Sequence, residues 1–212
     1  NFREVNFAHI TGKIGQPFTF SHSQEEKRFY KSVIDVPRYS GVEDHIPIIA
    51  DSDKLPANQN LEGQFIELRG RFCSFAKYTE DRKKTVERYI FVQELKIDNN
   101  EENMESSIGT NEIFLDGKLR FDPIYRRTPK GRIIAEFTLL SKRRNHPDRI
   151  PCVAWGENAM TLSQLSAKTR IQICGRLQSR EYQKKTENRP PEKRVAYEVS
   201  VMRVRVGEKI LG

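Results

Sequence analysis

Ile66-Glu67-Leu68-Arg69-Gly70-Arg71-Phe72 and Ile171-Gln172-Ile173-Cys174-Gly175-Arg176-Leu177 are two versions of one strand, 105 residues apart. Outward from them, Ile10-Thr11-Gly12-Lys13-Ile14 returns as Leu115-Asp116-Gly117-Lys118-Leu119 at the same offset. Ile46-Pro47-Ile48-Ile49-Ala50 returns as Ile150-Pro151-Cys152-Val153-Ala154 at an offset of 104, so one residue has slipped in a loop. A period this long is domain-sized, far beyond the roughly 20–50 residues of a solenoid repeat. The 212 residues are a tandem of two copies of one small fold. Their expected bounds are 1–97 and 111–212. Residues 98–110 are polar and acidic with only Met104 and Ile108 apolar; such a stretch buries too little surface to fold alone and is expected to be a flexible linker.

Within each copy the apolar residues recur mostly every second position, the spacing of strands rather than helices. In the second copy this predicts strands over 111–121, 132–141, 150–155, 170–182 and 194–206. One short helix is expected over 157–165, with Met160, Leu162 and Leu165 on its apolar side. In the first copy the helix would fall at 55–61, where Pro56 and Asn58-Gln59-Asn60 weaken it. All-β copies of five strands, with one short helix between the third and fourth, are the ingredients of a Greek-key OB barrel. A plainer antiparallel sheet with a helix uses the same parts. Gly70 and Gly175 interrupt strands rich in branched side chains, as the bulge that closes a small barrel requires. Two tandem five-stranded OB barrels are therefore expected.

Several function classes drop out on composition. No run of about 18 apolar residues exists, which argues against a membrane span, and the N-terminus lacks the apolar stretch of a signal peptide. Cys73, Cys152 and Cys174 lack CxxC spacing and sit in strand-like runs, so they are expected to be reduced side chains of a cytoplasmic protein. The four histidines are scattered. Gly12-Lys13-Ile14-Gly15 lacks the spacing of a phosphate-binding loop. No catalytic, metal or cofactor site is expected, which leaves binding.

Charge says where. Residues 1–97 hold 15 Lys/Arg against 14 Asp/Glu, a net of +1, and 98–110 hold four acids and no base. Residues 111–212 hold 22 bases against 11 acids, a net of +11. A positive field confined to one half is the footprint of a polyanion partner. Single-stranded nucleic acid needs cations along its backbone and flat aromatic faces for its unpaired bases. The second copy offers Arg120, Arg126, Arg127, Lys142, Arg143, Arg144, Arg149, Arg176, Arg180 and Lys184 for the phosphates. Phe121, Tyr125, Trp155 and Tyr182 are interleaved with them as candidate stacking residues.

Residues 111–206 resemble the OB domain of bacterial single-stranded DNA-binding proteins. The resemblance is carried by Leu115-Asp116-Gly117-Lys118-Leu119, Asp122-Pro123-Ile124-Tyr125-Arg126 and Thr128-Pro129-Lys130-Gly131. Ile150-Pro151-Cys152-Val153-Ala154-Trp155-Gly156 and Gly175-Arg176-Leu177-Gln178-Ser179-Arg180-Glu181-Tyr182 are its most diagnostic stretches. It implies base stacking at Trp155 and Tyr182. It also implies four OB domains, here by homodimerisation, and a nucleoid-associated role in replication, recombination or repair. Arg144-Asn145-His146 and Arg149 stand where the family often has aromatics, so phosphate contact is expected there. The family's acidic tip, which recruits other enzymes, has no counterpart in Gly207-Glu208-Lys209-Ile210-Leu211-Gly212. The first copy is divergent: Asp51 falls where Trp155 lies, and Lys77 where Tyr182 lies. Arg71, Phe75, Lys77 and Tyr78 are its candidate accessory contacts. An RNA-binding OB protein and an adaptor acting mainly through protein contacts are the rival readings.

Overall fold

The computed structural model describes residues 5–57, 60–99, 102 and 109–207. The first domain runs β1 (Asn6–Ile14), β2 (Thr19–Gln24), β3 (Lys27–Pro37), β4 (Glu43–Asp51), β5 (Phe65–Tyr78) and β6 (Lys84–Ile97). The second repeats the order with β7 (Asn111–Leu119), β8 (Ile124–Arg127), β9 (Ile133–Ser141), β10 (Asp148–Trp155), β11 (Arg170–Thr186) and β12 (Arg189–Val206). Helix α1 (Gly156–Ser163) sits between β10 and β11. Each domain closes in the same way. β1 pairs with both β3 and β5 while β4 runs parallel to β6; β7 pairs with β9 and β11 while β10 runs parallel to β12. These are two tandem OB barrels.

Alternation sets what each strand buries. On β4, Ile46, Ile48 and Ala50 enter the core, and on β10 Ile150, Cys152 and Ala154 do the same. Full burial of such aliphatic side chains contributes about 1.5–3 kcal/mol each. The pairing register slips at Arg69/Gly70 and at Cys174/Gly175, the bulges expected from sequence. A Cβ at Gly70 would run into the Phe91 carbonyl oxygen, and one at Gly175 into that of Ser200. The three cysteines are free thiols.

Three expectations shift. β8, and its counterpart β2, are additional short strands that, among the described residues, pair only with β9 and β3. The β11–β12 hairpin extends to Thr186 and Arg189, beyond the strand ends read from sequence. Among the described residues the first domain has no α-helix after β4 but a single 3-10 turn, Ser52–Lys54, with Asp51 accepting from the Asp53 N–H at 3.1 Å. Part of the expected 55–61 segment (58 and 59) and most of the expected linker (100, 101 and 103–108) lie outside the described residues. Past the linker, the Thr11 N–H donates to the Thr110 carbonyl at 2.8 Å.

The two copies are arranged symmetrically, and one ladder fixes how. β1 and β7 pair antiparallel with Ala8 opposite Ile113. Those residues are 105 apart, the repeat offset, so each meets its own counterpart and a pseudo-twofold axis passes between them. Side chains obey the same operation. Asn6 clamps the Phe72 backbone as Asn111 clamps that of Leu177. Across the domain boundary, the Ser74 N–H donates to buried Asp148 at 3.0 Å and the Arg149 N–H to Ser74 Oγ at 2.8 Å. The equivalents are the Ser179 N–H to buried Asp44 at 3.1 Å and the His45 N–H to Ser179 Oγ at 3.0 Å. Each hairpin arm thus lies against the other domain.

Candidate nucleic-acid interface

The outer face of the second barrel can be traced by register. Val153 pairs with Ser200 on the side away from the core, so Trp155 on β10 and Glu198, Ala196 and Arg194 on β12 share that side by alternation. Tyr182 lies opposite Arg194 on β11. Trp155 and Tyr182 therefore face the same way. They are 41% and 38% exposed, which leaves both rings reachable. Local chain geometry holds the indole out: Trp155 is the extended residue preceding α1, and Gly156 turns the chain at φ +58°, a conformation that favours glycine.

Cations surround these rings in different ways. The Arg180 guanidinium is 5.9 Å from the Tyr182 ring centroid and is ion-paired to Glu198 at 2.9 Å, which raises its pKa. Arg120 covers Phe121 at 4.7 Å, and Phe121 shares a hollow with Ile124, Pro151 and Arg180. Arg126 pairs with Glu136 at 3.0 Å. Arg127, Lys142, Arg144 and Lys184 are exposed and Arg149 is half-buried. Tyr125 lies apart from the other rings: it pairs with Ala135, itself opposite Ala154, which puts it on the core-facing side of the sheet.

Arg143 and Arg176, two of the candidate phosphate contacts, have their side chains at the domain boundary. Arg143 lies 3.5 Å from Asp148, together with Arg71 of the first domain at 3.7 Å. Arg176 is half-buried near Arg38 and Asp44, and burial lowers its pKa. Arg38 holds Asp44 through two hydrogen bonds. Nothing in the sequence signals that Asp44 and Asp148 are buried at this boundary, because the backbone N–H groups they accept from, Ser179 and Ser74, lie 135 and 74 residues away.

The first domain presents a different face. Asp51 is 7% exposed and paired with Lys27 at 3.4 Å. Lys77 pairs with Glu87 at 3.1 Å, Tyr78 is exposed, and Phe75 lies beneath Arg143 of the other domain at 4.8 Å. A surface that the sequence reading missed lies on β2 and β3. Phe20 is 52% exposed with Arg28 5.2 Å from its ring, and His22 stacks on Phe29 at 4.8 Å. The alternation Phe18, Phe20, His22 was the available signal. Asp35, Glu43 and His45 come together at the surface, where His45 Nδ1 is already hydrogen-bonded to Asp35 at 2.6 Å.

Residues 110–206 match the model of the single-strand binding protein family. The match spans the second domain. Two curated proteins similar to this domain are both named single-stranded DNA-binding protein. That of Enterococcus faecalis is 35% identical over 81 residues, covering 34% of this chain and 43% of that protein. That of Clostridium tetani is 36% identical over 87 residues, covering 37% and 60%. The chain spans about half the length of the curated relatives it matches. Over both domains the fold is similar to the crystal structure of the wild-type single-stranded DNA binding protein from Thermus aquaticus. The TM-score is 0.76 at 17% identity, covering 98% of this chain and 95% of that one.

Proposed function

We propose that this chain binds single-stranded DNA with little sequence preference, through the outer face of its single-strand binding domain, and that it acts by binding rather than by catalysis. The observation that carries the reading is the pair of exposed rings, Trp155 and Tyr182, on one sheet face of the domain that holds the +11 charge. Cations capture the backbone and the rings receive unpaired bases. Backbone contact releases counterions, so log affinity should fall with log salt by about 0.7 per phosphate contacted. The protein would protect exposed strands in replication, recombination or repair.

A homodimer presenting four barrels fits the same reading. Phe7 and Phe114 pair next to the pseudo-twofold axis and are 36% and 37% exposed on the outer side of the β1–β7 ladder. Sedimentation at micromolar concentration should give twice the chain mass; a stable monomer would refute the assembly alone. Titration of tryptophan fluorescence with poly-dT, poly-rU and duplex at two salt concentrations tests the central reading. Salt-sensitive quenching by poly-dT is expected, with weak response to duplex. Preference for poly-rU would make this an RNA-binding protein, and indifference to all three polymers would favour a protein adaptor.

A further inference from the structure

The β5–β6 and β11–β12 hairpins flank a cleft of about 660 Å³. Pro47 and Pro151, which are equivalent in the two copies, both line it, so it lies astride the pseudo-twofold axis. The first domain contributes Glu87, Arg88 and Tyr89; the second contributes Arg180, Tyr182 and Arg194. Most charges here are already matched. Glu87 is bonded to Tyr89 and ion-paired to Lys77 and Lys31, while Glu198 receives Arg180 and Gln178. Arg194 pairs with Glu192.

Arg88 is the exception. It is half-buried, and its Nε donates to the Arg149 carbonyl at 3.0 Å. Among the described residues no carboxylate lies within ion-pair distance of it; the groups that bear on its charge are Cys152, Arg149 and Tyr182. Burial and the neighbouring Arg149 both push its pKa down. A partly desolvated guanidinium beside a second one is costly without an anion to share. Beyond Val86 the cleft continues into a hollow lined by Phe75, Lys84, His146 and Arg149. The open end of the cleft thus carries more positive charge and leads onto the first domain.

We infer that this cleft is a phosphate seat: Arg88, supplied by the first domain, takes the backbone of a nucleotide whose base lies against Tyr182. The bound strand then crosses from the second domain onto the first past Arg149 and Lys84. This rests on the single-stranded DNA reading and gives the nearly neutral first domain a share in binding.

The test uses the full chain and oligo-dT of about 24 nucleotides, longer than one barrel occupies. Arg88→Gln, Arg88→Lys and Trp155→Ala are compared with the parent by affinity, salt dependence and thermal melting. Arg88→Gln should weaken binding about tenfold and make the log–log salt slope shallower by about 0.7, while Arg88→Lys keeps the slope. If Trp155→Ala weakens binding but Arg88→Gln changes neither affinity nor slope, the seat is wrong and the domain reading stands. If both arginine variants weaken binding equally with the slope intact, Arg88 acts only by holding the Arg149 carbonyl, which also overturns the proposal. If neither Trp155→Ala nor Arg88→Gln has an effect, the domain reading fails with it.

Discussion

Trp155 and Asp51 end the same strand of the same fold, and the two chains of events that follow them are opposite. After Trp155 a left-handed glycine starts a helix at once and leaves the indole on the surface. After Asp51 the carboxylate folds back to cap a 3-10 turn, takes Lys27 as partner and is buried. Yet the positions that fix the scaffold have hardly moved: Asn6 and Asn111, Ser74 and Ser179, Asp44 and Asp148 make equivalent bonds in both halves. Duplication has preserved what docks the barrels together and released what faces outward. An acid at the stacking position need not repel a polyanion, because here it is withdrawn and neutralised.

The docking clusters offer the largest test of that symmetry. Asp44 is buried with both oxygens bonded to Arg38 and the Ser179 N–H. Its removal strands a charge and a donor, so Asp44→Ala should destabilise the fold by about 3–5 kcal/mol. Asp148→Ala should cost less, since Asp148 Oδ2 and the Nε atoms of Arg71 and Arg143 already lack hydrogen-bond partners. Urea denaturation of the two variants compares them directly. Equal losses would mean that the two clusters are energetically as alike as their sequences.

Binding sharpens the comparison on the outer face. Trp155→Ala should weaken oligo-dT affinity about tenfold or more, and Tyr182→Ala roughly five- to tenfold, from the loss of one stacked base each. Lys77→Ala, at the position equivalent to Tyr182, should leave stacking untouched. It would lower the salt slope by at most about 0.7, because Lys77 is already paired with Glu87. Fluorescence titration for Tyr182→Ala and Lys77→Ala, and anisotropy of labelled oligomer for Trp155→Ala, read these out. A Lys77→Ala effect as large as that of Tyr182→Ala would make the first domain a full binding partner.

The barrels were legible in sequence because their determinants are local or repeated. Alternation marked Ile46, Ile48 and Ala50 as one face, and the repeat located Gly70 and Gly175 at the bulges that the register confirms. Cross-domain geometry was not legible. Charge alone does not say which buried acid a guanidinium will meet: Arg71 reaches Asp148, and Arg176 approaches Asp44, only through the docking of the two domains. Arg88 carried no local signal. It lies among ordinary charged residues in sequence, and only the fold shows that Glu87 goes to Lys31 and Lys77 while Arg88 meets the Arg149 carbonyl.

The smallest effect separates the copies by chemistry alone. His45 and Arg149 occupy equivalent places, and each gives its backbone N–H to a serine of the other domain, but only the histidine can titrate near neutrality. The hydrogen bond that the His45 ring donates to Asp35 raises its pKa, aided by Glu43 and Asp44. With the folded value above the unfolded value of about 6.5, the stabilisation is complete below that unfolded value and disappears as pH climbs through the folded one. The imidazole is 59% exposed, so the effect should stay under about 0.5 kcal/mol. Denaturation midpoints at about pH 6 and about pH 8 should therefore fall slightly more in the parent than in His45→Gln, which lacks the titrating group. If the two proteins lose the same stability over that interval, the Asp35–His45 pair contributes nothing, and the two domain contacts are equivalent in pH response as well as in geometry.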